Sequence, residues 1–293
     1  MNIENKESFC RLCPRDCQSP RTREHPGFCG SDEGFSDLRV TSLMPHYGEE
    51  RPLSGHRGSG TIFFTGCSLR CCFCQNYDIS HEHRGVRLSQ EQLADKMEAL
   101  LKTGVHNLNL VTPSHYADRI PNLLRILFET NIWKKRPVPI IWNSSAYETV
   151  KSLKNVADIV DIYLVDMKFH DRTLSDDLCG APNYAEIAYF ALEEMFRQQA
   201  QAHYDEDGIM QSGIMIRHLV LPGAVEDSFQ VLEQISKRVP LDTALSIMGQ
   251  YHPRSFNPCE RRPDMRRFLS HREYHEVLDY AKSLGFSNIL KQA

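Results

Sequence analysis

The chain has 293 residues, of which 41% are hydrophobic and 25% charged, a composition that excludes wholesale disorder. Its formal net charge of −4 argues against general electrostatic binding of nucleic acid. The N-terminus is polar, and no run of about 18 apolar residues occurs, so neither a signal peptide nor a membrane span is predicted. We therefore expect a cytoplasmic protein, in which clustered cysteines hold metal more often than they form disulfides.

Residues 1–55 are predicted to form a cysteine-rich, mostly irregular extension that precedes a core domain at residues 56–293. The extension is rich in Pro and Gly and has few apolar runs, so it cannot easily bury enough surface to fold alone. Its four cysteines are Cys10, Cys13, Cys17 and Cys29. Four thiolates suffice for a closed zinc site or an auxiliary iron–sulfur cluster, and unmetallated thiols are the alternative. Metal is favoured because the segment otherwise lacks folding energy.

From residue 61, short β-branched runs alternate with helical patterns, which is typical of βα units around a parallel sheet. The predicted strands are Thr61–Thr65, Asn107–Val111, Val138–Asn143, Asp161–Met167, Ile214–Val220 and Leu245–Gly249. Helices are predicted around Leu93–Leu101, after Pro121, and over Tyr184–Gln201, Glu226–Arg238 and His271–Leu284. This pattern predicts an α/β fold, a partial (β/α)6 barrel of the TIM type, with a doubly wound open sheet as the competing architecture.

A cysteine-rich loop follows the first predicted strand and has the spacing C-x3-C-x2-C, at Cys67, Cys71 and Cys74. Structural zinc usually takes four protein ligands, whereas a cubane iron–sulfur cluster held by three cysteines leaves one iron open to an external ligand. A redox-inert zinc loop is the alternative. Cys72 fits no ligand position, and with Cys179 and Cys259 it is predicted to remain an ordinary thiol.

The loop resembles the cluster loop of the radical S-adenosylmethionine (SAM) superfamily, whose motif is C-x3-C-x-aromatic-C. The resemblance implies that Cys67, Cys71 and Cys74 hold a 4Fe–4S cluster and that Phe73 lies beside the adenine of SAM. In that superfamily the open iron binds SAM, and an electron from the cluster cleaves SAM into methionine and a 5′-deoxyadenosyl radical. A reduced flavodoxin or ferredoxin is the implied electron donor.

Two later strands extend the resemblance to the activases of glycyl-radical enzymes. One ends in Asp166-Met-Lys168, and the other carries Arg217 ahead of a Pro-Gly pair. The resemblance implies that Asp166, Lys168 and Arg217 contact SAM at the C-terminal strand ends, where α/β barrels build their sites. The alternative is an Asp–Lys ion pair that closes the strand end, with Arg217 solvated. One departure is that Thr112-Pro-Ser-His115 stands where activases usually carry Gly-Gly-Glu-Pro.

Over nearly its whole length the chain is similar to a subgroup of radical SAM proteins regarded as homologues of pyruvate formate-lyase activating enzyme. The shared features include the N-terminal Cys-x2-Cys-Pro-Arg-x-Cys motif, here Cys10–Cys17, and the stretch 54–64 before the cluster loop. The resemblance implies a radical SAM enzyme that abstracts hydrogen, with formation of a glycyl radical on a protein substrate as the leading reaction. Modification of a small molecule or another macromolecule is the alternative. A zinc-binding scaffold without radical chemistry is the rival from another class.

Three further positions follow predicted strands and are candidates for contacts at the barrel mouth: His115, His252 and Asn143–Ser145. For the two histidines, a hydrogen-bonded or surface role is the alternative. For Asn143–Ser145, the alternative is capping of the next helix.

Overall fold

The computed structural model describes residues 9–253, 259 and 261–292. Within these residues, ten strands form a sheet of order β10-β9-β8-β6-β5-β4-β2-β1-β3, and β7 pairs with β8 off this path. The strands are β1 (Leu38–His46), β2 (Ser59–Phe64), β3 (Val86–Leu88), β4 (Leu108–Val111), β5 (Ile140–Ser144), β6 (Ile162–Asp166), β7 (His203–Tyr204), β8 (Met210–Leu219), β9 (Ala244–Met248) and β10 (Ile289–Gln292).

Helices connect and cover the strands. They are α1 (Arg51–Ser54), α2 (Tyr77–Ser80), α3 (Gln90–Lys102), α4 (Ile120–Phe128), α5 (Asn131–Lys135), α6 (Val150–Val156), α7 (Arg172–Cys179), α8 (Tyr184–Gln198), α9 (Val225–Ser236) and α10 (His271–Ser283). Two short 3₁₀ helices lie at Ser114–Tyr116 and Pro263–Arg266. Among the described residues, none of the helices is long and apolar enough to cross a bilayer.

The sheet is an open barrel of the predicted kind. Strands β2, β4, β5, β6, β8, β9 and β10 run parallel, each beside the parallel strand that precedes it in the chain. A doubly wound sheet reverses its strand order near the middle, and this sheet does not. The end strands β3 and β10 are not paired with each other, so the sheet does not close. The α/β fold and the partial barrel are therefore confirmed, and all six predicted strands are present.

The N-terminal segment is only partly irregular. Residues 9–37 contain no helix or strand, as predicted. By contrast, β1 is an unpredicted nine-residue strand that pairs antiparallel with β2 and, at its start, with β3. The core sheet thus begins at Leu38, and the predicted boundary at residue 55 stays a prediction.

Apolar side chains fill both faces of the sheet. On the outer face, the helices bury residues such as Leu93 and Met97 of α3 against the strands. On the inner face, Leu53 of α1 packs with residues of β5, β6, β8 and β9: Ile141, Ile162, Leu164, Met210, Met215 and Ala244. Because side chains alternate along a strand, Asp166, Arg217 and Ser246 share this inner face one step nearer the C-terminal edge. The fold thus places charged residues directly above an apolar barrel floor.

Candidate functional site

The cysteine loop leaves β2 through Gly66, whose φ of +92° lies in the region that favours glycine. A Cβ at Gly66 would lie only 2.2 Å from the carbonyl oxygen of Cys29. The Gly66 amide donates to the carbonyl of Ile79, 3.0 Å away, on the far side of the loop. The loop is therefore packed directly against the N-terminal extension from its first residue.

The structure brings Cys67, Cys71 and Cys74 together. Burial, followed by the neighbouring Cys71 and Cys74, raises the pKa of Cys67 to about 12. Burial and the nearby Cys71 likewise raise the pKa of Cys74, whose sulfur accepts a hydrogen bond from Ser80 Oγ at 3.2 Å. Three neighbouring thiols with raised pKa values suit a cationic metal centre, which would stabilise all three thiolates at once.

Within the described part of the chain, no group of three or more His, Cys, Asp or Glu side chains already has the arrangement to hold a metal ion. The chemistry of the donors nevertheless fits an iron–sulfur cluster. Soft thiolate ligands suit such clusters, and Cys67, Cys71 and Cys74 supply three of them from one loop.

Cys179, at the end of α7, lies against the loop. A hydrogen bond with Cys179 is the largest cause that raises the pKa of Cys71, followed by burial. The Cys179 thiol also lies 3.0 Å from the carbonyl oxygen of Ser175, and its side chain is fully buried. No local sequence pattern predicts Cys179 beside the loop, because the contact joins residues more than 100 positions apart.

The prediction that Cys72 and Cys259 are ordinary thiols is wrong for this structure. The two form a disulfide with a Cα–Cα distance of 5.5 Å and a sequence separation of 187 residues. The bond links the cysteine loop to the segment after β9. No spacing rule connects positions so distant in sequence, so only the folded chain reveals the pair.

Asp166 and Lys168 stand beside the three thiols. Lys168 Nζ donates a hydrogen bond to Asp166 Oδ2 at 2.8 Å. The Asp–Lys ion pair that was the alternative interpretation is therefore present. The positive charge of Lys168 is among the influences that lower the pKa of Cys67, Cys71 and Cys74. Burial disfavours the Asp166 carboxylate, but Lys168 and then Arg217 outweigh burial and hold its pKa below the usual value.

Arg217 is buried and ion-paired, so the alternative of a solvated side chain is wrong. Its Nε donates to Glu50 Oε1 at 2.8 Å, and its Nη2 contacts both Glu49 and Glu50. Burial alone would lower the pKa of Arg217, but Glu49 and Glu50 raise it overall. Asn109 Nδ2 donates to Glu49 Oε1 at 3.0 Å. Sequence reasoning missed both glutamates because they precede β2, outside every motif it recognised.

Phe73, the aromatic residue of the motif, is 7% exposed. Its ring centroid lies 6.2 Å from that of Phe169, after β6, and 6.3 Å from that of Tyr251, after β9. The side chain therefore joins three loops at the C-terminal edge of the barrel.

The backbone is strained at two neighbouring strand ends. Thr112 follows β4 with a φ of +58°, and Ala146 follows β5 with a φ of +60°. Such values are uncommon for residues other than glycine, and strain of this kind clusters at functional sites. Thr112 is the first residue of the Thr112–His115 stretch noted in the sequence.

Glu148 connects these strand ends and was not identified from the sequence. Its Oε1 accepts hydrogen bonds from Ser114 Oγ at 2.6 Å, Ser144 Oγ at 2.7 Å and Trp142 Nε1 at 2.9 Å. Burial raises its pKa despite these three donors. Thr149, and not a residue of Asn143–Ser145, caps α6, so the capping alternative for that stretch is wrong.

The two candidate histidines have different surroundings. His115 is 1% exposed, and its Nε2 lies 2.8 Å from the carbonyl oxygen of Thr65, just before the cysteine loop. Burial, with the nearby Arg21, lowers the pKa of His115 to about 3, so this ring is neutral and braces the loop. His252 is exposed and packs edge-on against Phe268, with ring centroids 5.0 Å apart.

The structure also brings the four N-terminal cysteines together. Cys10, Cys13 and Cys29 are buried and Cys17 is exposed. Burial raises the pKa of Cys13 to about 12, and Cys29, Cys10 and Cys17 add to this rise. Burial also raises the pKa of Cys29, with contributions from Cys10 and Cys17. Residues 9–37 are thus folded around four neighbouring thiols.

Fold and site together define an α/β enzyme class built on a partial barrel with three cysteines after its first parallel strand. The family model of the radical SAM superfamily matches residues 61–196, which contain that loop. The chain belongs to the radical SAM superfamily, a family of enzymes that use a 4Fe–4S cluster and SAM.

One relative matches nearly the whole chain, and two solved structures match about three quarters of it. The chain is 30% identical over 288 residues to the uncharacterized protein MJ0674 of Methanocaldococcus jannaschii, a match that covers 96% of this chain and 76% of that protein. HydG, a maturase of the [FeFe]-hydrogenase, is similar in structure, with a TM-score of 0.50 and 14% identity over 76% of this chain and 49% of HydG. The structure of native anSMEcpe with bound AdoMet has a TM-score of 0.50 and 11% identity over 75% of this chain and 57% of that chain. At these identities the two solved structures show the fold alone.

Proposed function

We propose that Cys67, Cys71 and Cys74 hold the 4Fe–4S cluster and that SAM binds beside them at the C-terminal edge of the barrel. The observation that carries this proposal is the convergence of three thiols of one loop next to Lys168. When bound, the cluster and SAM supply a 5′-deoxyadenosyl radical that abstracts hydrogen from a substrate.

The chain's own residues bind and orient SAM. The ammonium group of Lys168 and the carboxylate of Asp166 offer one charge of each sign beside the thiols. Phe73 supplies an apolar wall for the adenine. Arg217 binds the carboxylate of SAM when that group takes the place of Glu49, because Glu50 already holds the guanidinium through two of its nitrogens.

The cluster needs an external reductant and three reduced ligand thiols. We propose a flavodoxin or a ferredoxin as the electron donor and the cytoplasm as the setting.

Cys71 and Cys72 are adjacent in sequence and provide a matched pair of variants for testing the ligand assignment. After anaerobic reconstitution and reduction, Cys71→Ala should form no 5′-deoxyadenosine from SAM, because one cluster ligand is lost. Cys72→Ala removes the disulfide with Cys259 but no cluster ligand, so it should retain cleavage of SAM. Equal loss in both variants, or a colourless wild-type protein with stoichiometric zinc in this loop, would contradict the assignment.

We propose that the hydrogen is taken from a glycine of a protein substrate, as in activases of glycyl-radical enzymes. The support is the similarity of the Asp166-Met-Lys168 and Arg217 strands to those of activases. Incubation with a candidate protein deuterated at glycine should transfer deuterium into 5′-deoxyadenosine. Transfer only from a labelled small molecule, with none from the protein, would favour the alternative substrate class.

We further propose that Cys10, Cys13, Cys17 and Cys29 hold a structural metal centre, either zinc or an auxiliary cluster. Metal analysis should find one zinc, or about four extra iron atoms, that a Cys10→Ala/Cys13→Ala double variant lacks. An unchanged metal content in the double variant would contradict this site.

A further inference from the structure

The side chain of Arg15, in the N-terminal extension, contacts two segments of the core that are distant in sequence. Its Nε donates to the carbonyl of Ser68, inside the cysteine loop, at 2.7 Å. Its Nη2 donates to the carbonyl of Cys179 at 3.2 Å, and its Nη1 donates to the carbonyl of Gly180. One planar guanidinium thus binds three carbonyls, of which one belongs to the loop and two to the end of α7.

Aromatic rings fix the plane of this guanidinium. Arg15 Cζ lies 4.1 Å from the ring centroid of Phe28 and 5.2 Å from that of Tyr147. Arg70, from the cysteine loop, also contacts the Phe28 ring, at 4.6 Å, and donates from its Nη2 to the Phe28 carbonyl at 3.2 Å. Phe28 directly precedes Cys29, whose carbonyl abuts Gly66. The extension and the loop are therefore interlocked at several points.

The end of α7 is itself an anchor for the loop. The amide of Arg70 donates to the Cys179 carbonyl at 3.2 Å, and the amide of Cys72 donates to the Leu178 carbonyl at 2.9 Å. Carbonyls at a helix C-terminus carry partial negative charge and favour a nearby cation. Arg15 supplies that cation and also grips the loop at Ser68.

We propose that Arg15 is a positioning residue that sets the cysteine loop against the end of α7, so that Cys67, Cys71 and Cys74 are preorganised for the cluster. This inference rests on the proposed role of the three cysteines and adds a function for the arginine of the N-terminal Cys-Pro-Arg motif. A lysine cannot replace it, because one ammonium group cannot serve three carbonyls in the plane of a fork while stacking on Phe28.

The test compares Arg15→Lys with Arg11→Lys in the full-length, anaerobically reconstituted enzyme. Arg11 lies in the same cysteine-rich turn, but its ion pair with Asp16 is 66% and 55% exposed, so it is a matched control. Arg15→Lys should lower the rate of SAM cleavage by about 10- to 100-fold and change the electron paramagnetic resonance (EPR) spectrum of the reduced cluster, an effect typical of residues that orient metal ligands. Arg11→Lys should leave both unchanged. Identical rates and spectra in Arg15→Lys and wild type would overturn the proposal.

Phe28→Leu distinguishes a positioning role of Arg15 from a purely structural one. This substitution loosens the stacking of the Arg15 guanidinium on residue 28 but keeps the hydrogen bonds of Arg15. If Arg15→Lys melts at a much lower temperature than Arg11→Lys, Phe28→Leu should still show a smaller change of the EPR spectrum in the same direction. A wild-type spectrum in folded Phe28→Leu would then overturn the proposal. If wild-type protein itself neither assembles a cluster nor cleaves SAM, the proposed function fails, which is a different outcome from equal activity in wild type and Arg15→Lys.

Discussion

Glu49 and Glu50 lie 168 and 167 residues before Arg217, yet they surround its guanidinium inside the barrel. Removing one partner of a buried ion pair typically costs about 3–5 kcal/mol, because the remaining charge is left without compensation. With the Asp166–Lys168 pair, these residues make the inner face of the barrel charged at its C-terminal edge and apolar at its floor. The polar end can hold a zwitterion such as SAM, while the apolar floor keeps the sheet packed.

Asp227, a buried carboxyl group outside the site, allows a test of how burial makes stability depend on pH. Burial raises its pKa from 3.8 to about 6, although its Oδ1 accepts hydrogen bonds from the amides of His170 and Asp171. A raised folded-state pKa means that the contribution of Asp227 to stability is present below about pH 3.8 and is lost as the pH rises through about 6. Asp227→Asn keeps an acceptor but never ionises. We expect the unfolding free energy of the variant, relative to that of wild type, to increase by about 2 kcal/mol between about pH 4 and pH 7.

Urea unfolding of both proteins at the two pH values measures this difference. The comparison cancels the titration of all other groups, including Asp171, which also raises the pKa of Asp227. A difference in unfolding free energy that does not change with pH would show that Asp227 ionises as freely in the folded protein as in the unfolded chain.

At the scale of elements, the cysteine loop is held from three directions: by β2, by the end of α7 and by the extension. Gly66 packs against the extension at Cys29, and Gly104 after α3 offers a control with nearly the same φ. Their φ values are +92° and +90°, but a Cβ at Gly104 meets no atom within 4 Å. Gly104→Ala should therefore cost only the backbone strain, about 1 kcal/mol.

Gly66→Ala should cost about 3 kcal/mol or more, because the new Cβ must push away the backbone of Cys29. It should also reduce the iron bound per chain after reconstitution, whereas Gly104→Ala should not. Thermal unfolding and iron analysis of the two variants measure both effects. Equal losses in both would mean that the extension does not pack against the loop in solution.

The elements show how far local patterns predict a fold. The six predicted strands were recognisable because buried parallel strands are continuous apolar runs. Strand β10 was missed because Ile289–Gln292 is short, ends in polar residues and is not fully buried. Strand β1 was missed because its burial pattern loses alternation after Val40, where its register with β2 shifts. Both strands depend on neighbours that a local pattern does not contain.

At the scale of the whole molecule, the candidate site divides into a local part and an assembled part. The cysteine spacing, Phe73 and the Asp166–Lys168 stretch were readable because each lies within a short motif. The partners of Arg217, the contact of Cys179 with Cys71 and the Cys72–Cys259 disulfide were not readable, since each joins positions more than 100 residues apart. Such contacts exist only once the barrel has brought its loops to one edge.

The most direct test of the central claim is the EPR spectrum of the reduced, reconstituted protein before and after addition of SAM. If Cys67, Cys71 and Cys74 hold a 4Fe–4S cluster with one open iron, SAM should bind that iron and change the spectrum. The same addition should leave the spectrum of Cys71→Ala unchanged. A wild-type protein with no cluster signal, or with a signal that SAM does not alter, would contradict the account.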